Sequence, residues 1–475
     1  MYIKLKWGVI FMENQAKKVS SGQAMLILVI SILVIILGIK VVKAPTAIIL
    51  LFGGVITVII STIFGIEYSN IQSDIVKTIT TMAVPILIVL SVGVLVGAWM
   101  ISGTVPLMIY YGMKVLSPSL FLVMVCIICT LMSVMAGTSW GTISTVGIAF
   151  MGVAVGLGIS LPMTAGAVVS GAIFGDKLSP LSDSTVLSAA VCEVNLLDAI
   201  KHSFKTTLPA FIIALIMYFV VGLQYKDGVI GGESYDLIMG TLEKTFTLNP
   251  LLLIPPVLVL VLIIMKKPTL PVFTIGIIAG CVLAMVFQET TLNQVAGALS
   301  SGYTSKTGVA IVDKMLVRGG LNSMLGTVAL LIASAIFGAP LRTAGVVDIL
   351  LEKITNIAKT GKSMMVGVFV LHSLFFTITG SYYVTYSVLG QMVRGLFDSY
   401  GLKRKNLARI LLDTGTGFAP IVPWSVTGVF VATTLGVKTM DFILYAPVTY
   451  LSIIISFIYI ITGFTIEKSD GKKEI

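Results

Sequence analysis

Charge is scarce in this chain. Of 475 residues, 31 are Lys or Arg and 21 are Asp or Glu, 11% in all, too few to coat a water-soluble domain. Cysteine is scarcer. The four present make no disulfide framework, and Cys126 and Cys129 stand one helical turn apart in the apolar run LVMVCIICTLM, as packing hydrophobes would. Two histidines, His202 and His372, are too few for a histidine-based metal centre. His372 lies in an apolar run, where packing with a hydrogen bond to backbone is the expected role. The phosphate-binding pattern GxxxxGK followed by Ser or Thr is missing, so any work comes from ion gradients and not from nucleotide hydrolysis. No GxSG motif interrupts an apolar run, and Ile173 stands where a GxGD protease motif would begin. Neither an enzyme nor a cofactor is expected.

What fills the chain is apolar. Hydrophobic residues make up 57% and the mean hydropathy is +1.05, as in a polytopic membrane protein. Runs long enough for the hydrocarbon core recur from 24–40 to 442–463. Lipid satisfies no backbone polar group, so these runs must be helices, and their continuity excludes the alternation of barrel strands. The expectation is an all-α polytopic fold of about 10–13 membrane segments in the plasma membrane. The first run follows Lys4, Lys6, Lys17 and Lys18 and lacks a small-residue cleavage site, so it reads as a retained anchor.

The excess of positive charge falls in short loops and tails, which is a sidedness pattern and not a nucleic-acid-binding face. Lys266 with Lys267, and Lys403, Arg404 and Lys405 with Arg409, mark cytoplasmic loops on the side of the N-terminus. The stretch 223–248 carries Asp227, Glu233, Asp236 and Glu243 against Lys226 and Lys244, and is expected outside. The chain thus divides into a cytoplasmic N-terminal tail (1–23), a first membrane half (24–222), a polar extracytoplasmic linker (223–248), a second membrane half (249–464) and a C-terminal tail (465–475).

The two halves repeat one another. GTSWGTISTVG (137–147) aligns with GSYYVTYSVLG (380–390), pairing Thr142 with Thr385, Ser144 with Ser387 and Trp140 with Tyr383. GDKLSPLSDST (175–185) aligns with GTGFAPIVPWS (415–425), glycine and proline five apart in both. The motifs start 38 residues apart in the first half and 35 in the second, a shared spacing that chance matches would not produce. Polar, Gly- and Pro-interrupted segments at matching positions are how transporters build a central site.

The polar motifs carry three aspartates, Asp176, Asp183 and Asp413. A charge at mid-bilayer costs roughly 3 kcal/mol, so such residues face a cavity, a partner or an ion. Pro180, Gly175, Gly415 and Gly417 break helical geometry beside them and free backbone carbonyls. Hydroxyls of Thr138, Ser139, Ser182, Thr185, Thr414 and Thr416 complete a set of hard oxygen ligands suited to sodium and other hard cations. Because a carboxylate can take a proton or a cation, antiport is the simplest mechanism. Lys177 is either a counter-ion for the empty site or a contact for an organic anion. The plain alternative is a surface loop, with Ser182 or Asp183 capping the next helix and Lys177 pairing with Asp176.

GAIFGDKLSPLSDST, the preceding GTSWGT, and DTGTGFAPIVPWSVTGVF (413–430) resemble the signature segments of the NhaC-type sodium/proton antiporter family, in order and spacing over residues 80–460. That family includes sodium-linked malate/lactate exchangers and resembles the wider ion-transporter superfamily. The resemblance implies two inverted repeats, with re-entrant hairpins tipped at GTSWGT and GSYYV and helices unwound at the Asp183 and Asp413 stretches. The chain departs from the family at Leu412, where a Glu often precedes the Asp, at Ser425, where Asn is usual, and near Ser381 and Tyr382, where an acid is missing. The expected function is sodium/proton antiport, the carboxylates alternately binding cation and proton. A sodium- or proton-coupled exchanger of a small organic anion such as malate or lactate, or of an amino acid, is the alternative. The implied partners are the bilayer, sodium, protons and, for the alternative, a small carboxylate, with a homodimer as the candidate assembly and no nucleic acid.

Overall fold

The computed structural model describes residues 19–42, 44–115, 117–180, 182–225, 233–265 and 267–469. Lys4, Lys6, Lys17, Lys18, Lys226, Asp227 and Lys266, on which part of the sidedness reading rests, lie outside the described residues. Helix dominates because every long segment is apolar; among the described residues the one β-type pairing is a single antiparallel bridge between Leu402 and Lys468.

The first half runs through helices Ser21–Leu37 (α1), Thr46–Ile63 (α2), Tyr68–Ile101 (α3), Thr104–Val115 (α4) and Phe121–Ala136 (α5). It continues through Ser139–Thr142 (α6), Ile148–Gly156 (α7), Leu161–Leu178 (α8), Asp183–Cys192 (α9) and Leu196–Gly222 (α10). Next come Glu233–Thr245 (α11), Ile254–Ile264 (α12), Thr269–Phe287 (α13), Leu292–Ser301 (α14) and Ala310–Leu316 (α15). The remainder holds Leu325–Thr343 (α16), Val346–Ile357 (α17), Gly361–Thr379 (α18), Tyr382–Thr385 (α19) and Gln391–Ser399 (α20). Lys405–Thr414 (α21), Val426–Leu435 (α22), Thr439–Phe442 (α23) and Pro447–Thr462 (α24) close the chain. Among the described residues eight helical stretches are long and apolar enough to span a membrane, or ten if each of two pairs, bent by 96° and 63°, forms one span. Ten is the lower edge of the expected range.

The internal repeat reappears as a succession of elements. In the first half α5 ends at Gly137 (φ 67°), a one-turn α6 follows, and a π-helical turn at Ile143–Gly147 leads into α7. In the second, α18 ends at Gly380 (φ 64°), then come the one-turn α19, a π-helical turn at Tyr386–Gly390 and α20. Both glycines hold the left-handed conformation that a side chain would strain. Each half then carries a broken helix. α8 stops at Leu178, before Pro180, and α9 restarts on the N-cap Ser182, whose hydroxyl accepts from the Thr185 amide. α21 stops at Thr414, and α22 restarts on the N-cap Ser425, which accepts from Gly428.

Close packing holds the broken helix against its neighbour. A Cβ on Gly171 would lie 2.2 Å from the Cys126 carbonyl oxygen, and one on Gly175 2.6 Å from the Thr130 carbonyl oxygen and the Ser133 Cβ, so α8 meets α5 backbone to backbone. Cys126 and Cys129 are buried in this seam, in the packing role read from their spacing. Ser133 locks the seam by donating to Ala172 O at 2.6 Å.

Two regions differ from the linear reading. Within 223–248, α11 buries Ile238 and Leu242, and Glu243 accepts from the Tyr110 hydroxyl, so this stretch contains a packed helix. The C-terminal tail, where described, folds back on the cationic loop: Lys403 N donates to Glu467 O (2.9 Å), Asn406 Nδ2 to Glu467 O (2.8 Å) and Ser469 N to Gly401 O (2.9 Å). Its carboxylate joins Lys405 and, at 3.2 Å, Lys205. Burial alone would raise the Glu467 carboxyl, but hydrogen bonds from Lys405 and Lys205 outweigh it and hold the group at about 2.

Two outcomes follow from this packing. Gly175→Val should cost at least about 1–3 kcal/mol in unfolding of the detergent-purified protein, by overpacking. Gly240→Ala, with open space around its Cβ, should be neutral or stabilising. The Glu467 anchor, with its depressed folded-state pKa, contributes fully above pH 4.5, the carboxyl's ordinary value, and fades as pH falls towards 2. Proteolytic cleavage within 465–469 should therefore rise on acidification below pH 4.5 in the wild type. In Glu467→Gln it should already be high at neutral pH.

Candidate functional site

The last turns of α8 and α21 meet in the protein interior. Lys177 Nζ lies 2.5 Å from Asp413 Oδ1, and both side chains are 0% exposed. Thr206, on α10, donates to the same carboxylate at 3.0 Å (Oδ2) and 3.2 Å (Oδ1). A buried charge is tolerated only when paired and hydrogen-bonded, and here the carboxylate has both. Lys177 sits favourably, a cation at a helix C-terminus; Asp413 is an anion at a C-terminus and relies on Lys177 and Thr206 to offset that field. The pairing of Lys177 with its neighbour Asp176, part of the surface-loop alternative, is thus replaced by one between the two halves. Successive helical residues point about 100° apart, so Lys177 and Asp176 face different partners.

Asp176 is 3% exposed and faces the hairpin of its own half. Its Oδ2 accepts from Ser139 Oγ at 2.8 Å, and its Oδ1 is buried with no hydrogen-bond partner among the described residues. The Asp176 carbonyl accepts from Thr185 Oγ1 at 3.1 Å, which ties the end of α8 to the start of α9 across the break. Thr138 caps α6, its hydroxyl accepting from the Gly141 amide at 3.3 Å, and so fixes the turn that presents Ser139.

Asp183 stands apart. It is exposed, its Oδ1 accepts from the Ser184 amide at 2.8 Å, and its Oδ2 accepts from the Tyr383 hydroxyl. Ser182 caps α9 and meets Ser184 Oγ at 3.0 Å. Ser182 is a helix cap but a buried one, interior like Asp176, Lys177 and Asp413, and of these residues Asp183 alone is exposed. Among the described residues no three His, Cys, Asp or Glu side chains converge. Asp183, though exposed, lies within electrostatic reach of Asp176, while Asp413 is engaged by Lys177. A cation held here would depend on hydroxyls and carbonyls as much as on carboxylates.

The unwound stretch after α21 has its own network. Thr414 Oγ1 donates to Ile410 O at 2.6 Å and lies 2.6 Å from His372 Nδ1. His372 thus bonds a site hydroxyl, and not backbone, because its helix α18 packs directly against α21. Thr416 is held by Tyr386, whose hydroxyl lies 2.8 Å from Thr416 Oγ1 and accepts from Thr416 N at 2.9 Å. A Cβ on Gly415 would come within 2.4 Å of the Tyr386 ring, so glycine lets the chain pass that tyrosine.

Sequence reasoning missed Thr206, Tyr383 and Tyr386. Thr206 lies in the polar start of α10, KHSFKTT (201–207), outside the repeated motifs. The tyrosines sit in GSYYVTYS at the repeat position of GTSWGTIS, so the repeat itself was the available cue. Arg409, read as a loop cation, is instead 0% exposed within α21, one turn from Asp413.

Polytopic helices, with two hairpin-like turns and two broken helices meeting at a buried ion pair, define a secondary transporter. The model of the Na+/H+ antiporter family matches residues 9–195 and 171–465, and the chain belongs to that family. It is 37% identical over 405 residues to the malate-2H(+)/Na(+)-lactate antiporter of Bacillus subtilis, covering 84% of this chain and 85% of that one. It is 32% identical to the Na(+)/H(+) antiporter NhaC of Alkalihalophilus pseudofirmus over 96% of this chain and 98% of that one. It is 31% identical to the arginine/ornithine antiporter ArcD of Halobacterium salinarum over 94% and 93%.

A double-mutant cycle measures the pair. Lys177→Met and Asp413→Leu should each cost about 3–5 kcal/mol of stability in detergent, since each leaves the partner charge buried and alone. The double variant should regain most of that loss; additive losses would show that the two charges do not depend on each other.

Proposed function

We propose that the protein exchanges sodium for protons across the cell membrane, with Asp176 as the group that carries one or the other. The observation behind this reading is the bare, buried Oδ1 of Asp176 beside a Lys177–Asp413 pair that is already neutral. A protonated Asp176 leaves the centre uncharged, and so does an ionised Asp176 holding a sodium ion. An ionised, empty Asp176 would leave one uncompensated charge in low dielectric, which is costly to carry through a conformational change. Only the proton-loaded and sodium-loaded forms then reorient readily, and that restriction couples the two ions. Asp176 Oδ1 and Ser139 Oγ are the first sodium ligands on this reading, and Thr138 holds the turn behind them. Asp413 with Lys177 supplies a fixed neutral wall that an arriving cation can perturb by competing with the ammonium.

Asp183, with Tyr383, belongs to the approach to the site. Thr414 and Thr416 keep the unwound chain of the second half in shape through His372 and Tyr386. The N-terminus is taken as cytoplasmic, on the side of the loop at 403–405. Inverted orientation of the two repeats is part of the same reading and would let them rock about the central pair. A small carboxylate as co-substrate is the second reading, favoured by the likeness to a malate/lactate antiporter. On that reading the anion would share the Lys177 ammonium, which has three donors, with Asp413.

The test is sodium-evoked proton flux in proteoliposomes, read with an entrapped pH dye. Asp176→Asn, always neutral, should lower it at least about 100-fold, the loss expected when an essential group cannot change protonation, while the protein stays folded. Asp183→Asn should reduce flux far less and raise the sodium concentration needed for half-maximal rate. A response that appears only with lactate or malate present would establish the second reading. Undiminished flux in Asp176→Asn would remove Asp176 from the mechanism.

A further inference from the structure

Between α10 and α21 lies a column of polar groups, most of them buried, that continues outward from the ion pair. On α21, Lys405, Arg409 and Asp413 repeat every four residues, so they share one face over about 12 Å of helix. On α10, His202, Ser203, Thr206 and Thr207 are all buried, and His202 and Thr206 bond residues of α21. The column is bonded at both ends. At the inner end Thr206 donates to Asp413 at 3.0 Å. At the outer end His202 Nε2 lies 3.1 Å from Asn406 Oδ1, and His202 Nδ1 is 3.6 Å from Glu467 Oε1, whose side chain is 29% exposed.

The middle is different. Arg409 spends its Nη1 on Thr465 Oγ1 at 2.6 Å, but its Nε and Nη2, the Ser203 hydroxyl and His202 Nδ1 are buried with no hydrogen-bond partner among the described residues. Arg409 is within electrostatic reach of Asp413 and Glu467, and His202 within reach of Arg409, so these orphaned groups form one neighbourhood. Buried polar groups left without protein partners are served by ordered water, and at 3.6 Å the imidazole and carboxylate are too far apart for a direct hydrogen bond.

We infer that the seam between α10 and α21 is a hydrated proton passage leading from the Glu467 surface, past His202, Arg409 and Ser203, to Thr206 and Asp413. Protons move along it by exchange between waters and hydroxyls. Arg409 donates to those waters through Nε and Nη2. This inference rests on the exchange reading for its purpose, but hydration of the seam is a separate property and is tested separately.

Ser203→Cys, with Cys281 replaced by alanine so that the remaining native cysteines are buried, is exposed to a small hydrophilic methanethiosulfonate in oriented vesicles and read by peptide mass spectrometry. Modification of residue 203 from the face bearing Lys205, Lys403 and Lys405 is expected; an unmodified cysteine under conditions that label an exposed control overturns the inference. Ser203→Leu, which fills the seam, should lower the maximal sodium-evoked proton flux about tenfold, equal to about 1.4 kcal/mol in barrier, with half-saturation by sodium unchanged. Ser203→Ala, which leaves the space open, should retain most of the flux. Equal fluxes in the leucine variant and the wild type overturn the inference even if the cysteine is modified. Should Ser203→Leu fail to fold, the labelling of Ser203→Cys decides. A wild type without any sodium-evoked flux would instead defeat the exchange reading, with labelling still reporting on the seam.

Discussion

Two opposite charges with no exposure to solvent, Lys177 and Asp413, fix how the two halves of this protein meet. Each sits on the last turn of a helix that then breaks, so the pair joins the only places in α8 and α21 where backbone leaves regular geometry. Isolated, either charge would be prohibitive in this setting; together, with the Thr206 hydroxyl on the carboxylate, they become neutral and directional. The surrounding order reads as support for that contact. Gly171 and Gly175 bring α8 onto α5, and Gly415 lets the unwound chain pass Tyr386.

Neutrality of the pair gives Asp176 its importance. A carboxylate beside a compensated centre has to find its own cation, and Asp176 offers one oxygen to Ser139 and leaves the other bare. The same accounting distinguishes it from Asp183, which is exposed and held by Tyr383. Three aspartates of one motif family thus have three environments: one paired, one buried with an oxygen lacking a hydrogen-bond partner among the described residues, one at the surface.

The second half supplies fewer carboxylates than the resemblance led one to expect, and aromatic residues fill the corresponding space. Tyr382 and Tyr386 rings lie 5.6 Å apart, and His372 lies 5.7 Å from Tyr386, so the counterpart of the polar GTSWGT turn is an aromatic and imidazole lining. The two repeats therefore share backbone and differ in chemistry. One presents the buried carboxylate of Asp176, and the other holds the carboxylate paired with Lys177.

Much was legible in the sequence because it depends on local or one-dimensional properties. Apolar length dictates helices where backbone must satisfy itself, and Gly137 and Gly380 mark turns because only glycine takes their φ cheaply. Repeat spacing exposed the paired architecture, and scarce intramembrane aspartates pointed to the site. The partner of Lys177 was not legible: Asp413 is 236 residues away, and nothing local distinguishes it from the adjacent Asp176. Nor could the sequence reveal that Arg409 is buried, that Asp183 is exposed, or that Thr206, outside the repeated motifs, completes the Asp413 carboxylate shell. Those facts follow from how helices from distant parts of the chain are rotated against one another, and helix rotation is decided by packing across the whole interior and not by any local stretch of residues.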